Sequence, residues 1–146
     1  MFMALKATCQ TVRKNNVEYS SVELAKDDKI FLALKDTAQK HLSIFIDNLK
    51  KHGHENKSYW FAVKSDFFQN GNHEHMWSTI FEYKNDIFKG VFIDSAFTVK
   101  NIRMGDKVMI DRNKIEDWLI YNAIEDKTMG DFSKKYLDSK KKKPEN

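Results

Sequence analysis

Glu74-His75-Met76-Trp77-Ser78-Thr79-Ile80-Phe81-Glu82-Tyr83, then Asn85-Asp86, then Ile87-Phe88-Lys89-Gly90-Val91-Phe92-Ile93, is the stretch whose reading decides the fold. His75, Trp77, Thr79, Phe81 and Tyr83 alternate with Glu74, Met76, Ser78, Ile80 and Glu82, the period-two pattern of a strand with two different faces. Asn85-Asp86 interrupts the run with residues that tolerate a tight turn, so the segments on either side read as an antiparallel hairpin. Gly90, in mid-strand, marks a bulge or a close backbone approach.

Upstream, Tyr59-Trp60-Phe61-Ala62-Val63 is a further strand, separated from the first by a turn region around Asn70-Gly71-Asn72. Before the polar linker Gly53 to Lys57, Ile30, Phe31, Leu34, Ala38, Leu42, Phe45, Ile46 and Leu49 recur at helical spacing as one apolar stripe. This predicts one long amphipathic helix, opening near Asp27-Asp28 and ending by His52-Gly53. Met3 to Ser21 reads as two strands joined near Asn15-Asn16. Downstream, Gly105-Asp106 is a turn, Lys107 to Ile110 a short strand and Ile115 to Tyr121 a strand or a turn leading into one. Glu125 to Asp131 reads as a loop, and Phe132 to Leu137 as a short terminal helix or strand. The expected fold is α+β: an antiparallel sheet of about five or six strands packed against one long amphipathic helix. Residues 1–137 form a single domain, and 138–146 form a lysine-rich flexible tail.

The formal charge of +4 resides in the tail, because Ser133 to Asn146 holds six Lys against Asp138 and Glu145. The rest of the chain is neutral, and its only arginines are Arg13, Arg103 and Arg112, which argues against a phosphate-gripping surface and hence against nucleic acid as the partner. With Cys9 as the sole cysteine there is no intrachain disulfide, which fits a reducing cytosol. The segment Met1 to Lys6 lacks the basic and long apolar regions of a signal peptide, and no run reaches the ~18 apolar residues of a membrane span. The expectation is a cytoplasmic protein without membrane contact.

Five short motifs in fixed order carry a resemblance: Glu74-His75-Met76-Trp77, Phe88-Lys89-Gly90, Gly105-Asp106-Lys107-Val108, Ile115-Glu116-Asp117-Trp118 and Gly130-Asp131-Phe132-Ser133. Over Trp60 to Leu137 the chain resembles the YegJ-like bacterial family of domains of unknown function, number 2314. It departs from that pattern after Gly90, where Ile93-Asp94-Ser95-Ala96-Phe97 replaces a segment expected to hold an Asn and a Pro. The resemblance implies a domain type and supplies no catalytic residue, cofactor or substrate. Some bacterial families of this size serve as immunity or antitoxin partners, which is an analogy of class.

His73-Glu74-His75 is the most chemically suggestive motif, since histidines two apart on a strand point to one side and could share a metal ion. Cys9, His41, His52 and His54 are further candidate ligands, but none has ligand spacing with the pair; two ordinary strand histidines, with His75 beside Trp77, is the preferred reading. Asp106 and Asp117 could form a carboxylate pair for acid and base work, although Gly-Asp turns favour structural roles. No phosphate loop and no nucleophile elbow is present, so no cofactor is expected. The strand aromatics exceed what one helix can cover, leaving Trp60, Trp77 and Trp118, with Asp106 and Asp117, as candidate contacts for a protein partner. The favoured reading is a non-enzymatic protein-interaction module, an immunity or regulatory partner. The alternatives are a small metal-dependent enzyme using His73, Glu74, His75, Asp106 and Asp117, and a weak nucleic-acid binder acting through the tail.

Overall fold

In a computed structural model, described for residues 29–97 and 99–141, the elements run in the order α1 (Lys29–Lys40), α2 (Leu42–His52), β1 (Tyr59–Gln69), β2 (Asn72–Lys84), β3 (Ile87–Phe92), β4 (Lys107–Asp111), β5 (Ile115–Asn122), β6 (Lys127–Gly130) and α3 (Phe132–Lys141). A single 3-10 turn, Arg112–Lys114, joins β4 to β5. The strands form one antiparallel sheet in the order β4-β3-β2-β1-β5-β6. The two strands expected within Met3 to Ser21, and Cys9 with them, lie outside the described residues.

Two turns set the register. Asn70 and Gly71 have φ of 52° and 81°, and Asn85 and Asp86 have φ of 52° and 63°. Positive φ at both central residues is the type I′ geometry whose twist matches that of the flanking strands. Counting outward from Asn70-Gly71 pairs Gln69 with Asn72, Phe67 with Glu74 and Asp66 with His75.

The sheet must curl. Strands β4 and β5 stand four places apart, which in a flat sheet is roughly 19 Å at the usual strand spacing, whereas the four peptide steps from Asp111 to Ile115 span at most about 14 Å. Irregularities between Lys64 and Ser65 and between Ile80 and Glu82 supply the coiling. The second one changes a face: Ile80 pairs with Gly90 and Tyr83 with Phe88, so Phe81 and Glu82 share the outer side and Tyr83 joins the core. The strict alternation predicted for Tyr83 fails at that extra residue. Gly90 is explained by the same place, because a Cβ there would run into the Thr79 carbonyl.

The inner face of the sheet packs on α1 and α2. Phe45 sits at the centre, its ring 5.6 Å from Phe61, 5.7 Å from Phe88 and 5.7 Å from Trp118. The predicted single long helix is two short ones, broken at His41, whose φ and ψ are −105° and 11°. The cause lies in β5: the Trp118 indole N–H donates to the Ala38 carbonyl at 3.0 Å, the acceptor that an unbroken helix offers to the Leu42 amide. A side chain inserted at the backbone ladder is a recognised origin of kinks. Two further expectations change. Lys127–Gly130 is strand β6 rather than loop, and the C-terminal segment is helical as far as Lys141. Among the described residues no helix is long and apolar enough to cross a membrane.

Candidate functional site

Beyond Ser65, β1 has no neighbour on its β5 side among the described residues, because β5 begins at Ile115 opposite Ser65. This unpaired end, the first turns of α1 and the end of β4 with its 3-10 turn enclose a cleft of about 570 Å³. Phe31, Phe67 and Phe68 supply apolar walls, and Asp66, His73 and Glu116 supply polar groups. Lys35 and Lys114 also line it.

The polar groups form a chain. His73 Nδ1 lies 2.6 Å from Asp66 Oδ2, and His75 Nδ1 lies 2.7 Å from Glu116 Oε1. His75 Nε2 stands 4.0 Å from Asp66 Oδ1, which is buried and has no hydrogen-bond partner among the described residues. The Ser65 hydroxyl is buried and unpartnered as well. The hairpin register brings Asp66 opposite His75, and the irregularity at Lys64/Ser65 frees Glu116 from strand pairing to turn toward it. Phe31 closes over the His75 ring edge-on, 5.4 Å between centroids.

Beside this chain is a second, closed cluster. Lys64 is buried, its Nζ 3.2 Å from Ser133 Oγ and 5.8 Å from the Trp77 ring. Burial holds its pKa below 10.5, with Asp117, Glu116 and Asp131 pulling the other way. Asp117, fully buried, accepts from the amides of Trp118 at 2.8 Å, Phe132 at 3.0 Å and Ser133 at 2.9 Å, satisfying the free N–H groups that open α3. Burial, then the Asp117 charge, raises the Asp131 pKa above its ordinary value.

The candidate residues therefore separate. His73 and His75 share one side, as the i and i+2 spacing requires, and each Nδ1 is held by a carboxylate. Among the described residues no group of three or more His, Cys, Asp or Glu side chains is placed to hold a metal ion. Glu74 points into the interior, where it accepts from the amides of Phe97 and Val99 and pins the loop after β3. Asp106 closes its own turn by accepting from the Arg103 amide at 2.9 Å, and does not meet Asp117. Trp118 is a core residue. Trp60 and Trp77 are on the outer face, with the Trp60 indole N–H donating to the Thr79 hydroxyl at 3.0 Å.

Asp66 and Glu116 escape a motif search because Asp66 lies across a turn, seven residues from His73, and Glu116 lies 41 residues from His75. The Asn-Gly turn was the available signal for Asp66, since counting four residues back from Asn70 and four on from Gly71 names the Asp66 and His75 pair. Glu116 had no comparable signal: its orientation depends on a strand irregularity.

The fold and site define a small α+β domain, a curled antiparallel sheet carrying a half-open cleft at one end. The profile of the bacterial family described as "Uncharacterized protein conserved in bacteria (DUF2314)" matches residues 27–145, and the chain belongs to that family. The match takes in α1 and α2 and reaches into the lysine run, beyond the segment that carries the five motifs. No curated protein and no solved structure matches the chain.

Proposed function

We propose that this protein is a non-enzymatic protein-interaction module whose partner covers the outer face of the sheet. The observation that carries the reading is a set of large apolar side chains left in solvent on that face. Trp60 is 40% exposed, Phe81 57% and Met109 66%, and they come from β1, β2 and β4. Solvent-facing aromatics and methionine in a neutral surrounding are the composition of a protein contact, in which such residues carry most of the binding energy.

The edge strand β4 extends the same surface. The Phe92 amide donates to the Asp106 carbonyl and the Arg112 amide to the Asp86 carbonyl, which fixes the hydrogen-bonding phase of the β3 and β4 ladder. By alternation, Lys107, Met109 and Asp111 direct their main-chain N–H and C=O groups away from the sheet, where an extended segment of a partner can pair with them. Neutralising a toxin and regulating an enzyme in a bacterial cytosol are uses this type of surface serves.

The test is affinity capture from the native bacterial lysate with the wild-type protein and with the double variant Trp60→Ser/Phe81→Ser, followed by light scattering of the reconstituted pair. A stoichiometric complex with a defined protein that the wild type forms and the double variant loses supports the proposal. Capture insensitive to the double variant, or turnover of a small substrate by the isolated chain, overturns it.

A further inference from the structure

From the cleft between α1, the end of β1 and the β4 turn we infer that the domain has a small-molecule site for a primary amine with an apolar body and a carboxylate. The inference rests on the cleft and not on the outer-face contact proposed above; Met109 and Asp111 border both, and the small-molecule titration below tests the cleft separately.

The first step concerns one oxygen. Asp66 Oδ2 is occupied by His73 Nδ1 at 2.6 Å, while Asp66 Oδ1 has no partner among the described residues and faces His75 Nε2 across 4.0 Å. His75 Nδ1 is 2.7 Å from a Glu116 oxygen, so Nδ1 carries the hydrogen, and in the neutral ring Nε2 is an acceptor. Two acceptors then face each other across 4.0 Å. If the ring carries both hydrogens, 4.0 Å is still too long for Nε2 to satisfy the carboxylate directly. In either state no donor among the described residues serves Asp66 Oδ1, and a buried unpaired carboxylate oxygen is costly, so a ligand donor placed there would be favoured.

A donor atom about 2.8 Å from both Asp66 Oδ1 and His75 Nε2 would see them roughly 90° apart, a separation that two hydrogens of one ammonium group serve. An ammonium is favoured over a neutral donor because Asp66 and Glu116 both line the cleft and present carboxylates to it.

The rest of the cleft sets the remainder of the ligand. Its volume, about 570 Å³, lies within the range of small-ligand sites, and Phe31, Phe67 and Phe68 make an aromatic wall. Lys35 and Lys114 add positive charge to an otherwise acidic and aromatic lining. A ligand that is zwitterionic, with an aromatic or branched apolar body, uses every one of these groups.

The experiment titrates the full chain, labelled with ¹⁵N at histidine, with three probes that differ by one group each: L-phenylalanine, 2-phenylethylamine and 3-phenylpropanoate. Saturable shifts of the His75 ring nitrogens are expected with the first two and none with the third. Asp66→Asn should weaken both amines at least tenfold, and Lys35→Ala should weaken L-phenylalanine alone, by a few-fold. The inference is overturned if 3-phenylpropanoate shifts His75 as 2-phenylethylamine does, or if no probe gives a saturable shift at tens of millimolar. It is equally overturned if Asp66→Asn binds the amines as tightly as the wild type. The probe comparison needs no variant, so it decides the matter even where a variant folds poorly.

Discussion

Asp117 and Asp66 lie on the neighbouring strands β5 and β1, one beside Lys64 and the other beside His73, yet they are treated in opposite ways. The Asp117 carboxylate takes three backbone N–H groups, two at the opening of α3, and is fully buried. Asp66 takes one histidine and leaves its second oxygen without a partner among the described residues, beside a cleft. A carboxylate with both oxygens engaged by its own backbone is holding a fold together, whereas one with an oxygen left over is a place that a ligand can finish. The contrast separates two acidic residues that look alike in the sequence, each beside an aromatic strand.

The sharpest way to break the contrast is the same substitution at both positions. Asp117→Asn places an amide donor against the amides that open α3 and removes the charge that opposes Lys64, so unfolding free energy in urea should fall by about 2–3 kcal/mol, the cost of buried donors left unsatisfied. Asp66→Asn keeps an acceptor for His73 and turns a donor toward His75 Nε2, so it should change stability by less than about 1 kcal/mol.

Gly130→Ala probes the same α3 junction sterically. Gly130 has φ of 79°, and a Cβ there would collide with the Trp118 carbonyl and indole ring. The expected loss is about 1–3 kcal/mol, read as a lowered urea midpoint at unchanged slope.

A smaller and pH-dependent effect belongs to Lys64. Burial lowers its folded-state pKa from 10.5, so between that lowered value and 10.5 the unfolded chain binds more protons than the folded one. Stability contributed by this group therefore rises with pH through that window, and below it the fold bears the cost of the buried charge. Lys64→Met should be no less stable than wild type at neutral pH, and its advantage should shrink as pH climbs toward 10.5. Chemical denaturation of both proteins across the alkaline range checks the sign. The smallest expected effect is at the surface: Trp60→Ser/Phe81→Ser should leave the urea midpoint within about 0.5 kcal/mol of wild type while abolishing partner capture.

Much of the fold was legible because it is written locally. The Asn70-Gly71 and Asn85-Asp86 turns, the strand alternation on either side and the apolar stripe from Ile30 to Leu49 each declare themselves within a single short stretch of chain. The break at His41 was not, since its cause, the Trp118 indole bonded to the Ala38 carbonyl, is 80 residues away. Strand β6 escaped for a related reason: Lys127-Thr128-Met129-Gly130 has no strand pattern of its own and is extended because β5 offers it a partner. Of the cleft, the sequence offered His73 and His75 on one side of a strand. It withheld Glu116, whose role comes from strand irregularity, and the motif that attracted a catalytic reading, Asp106 with Asp117, divides between a surface turn and a helix cap.

The most direct measurement of the central claim is urea denaturation of Asp117→Asn and Asp66→Asn side by side, with the histidine ¹⁵N spectrum of each recorded at neutral pH. The account predicts a loss of about 2–3 kcal/mol for the first and less than about 1 kcal/mol for the second, with the Asp66 variant's spectrum altered only at His73 and His75. Equal losses at the two positions, or a larger one at Asp66, would contradict the division into a closed structural cluster and an unfinished binding cleft.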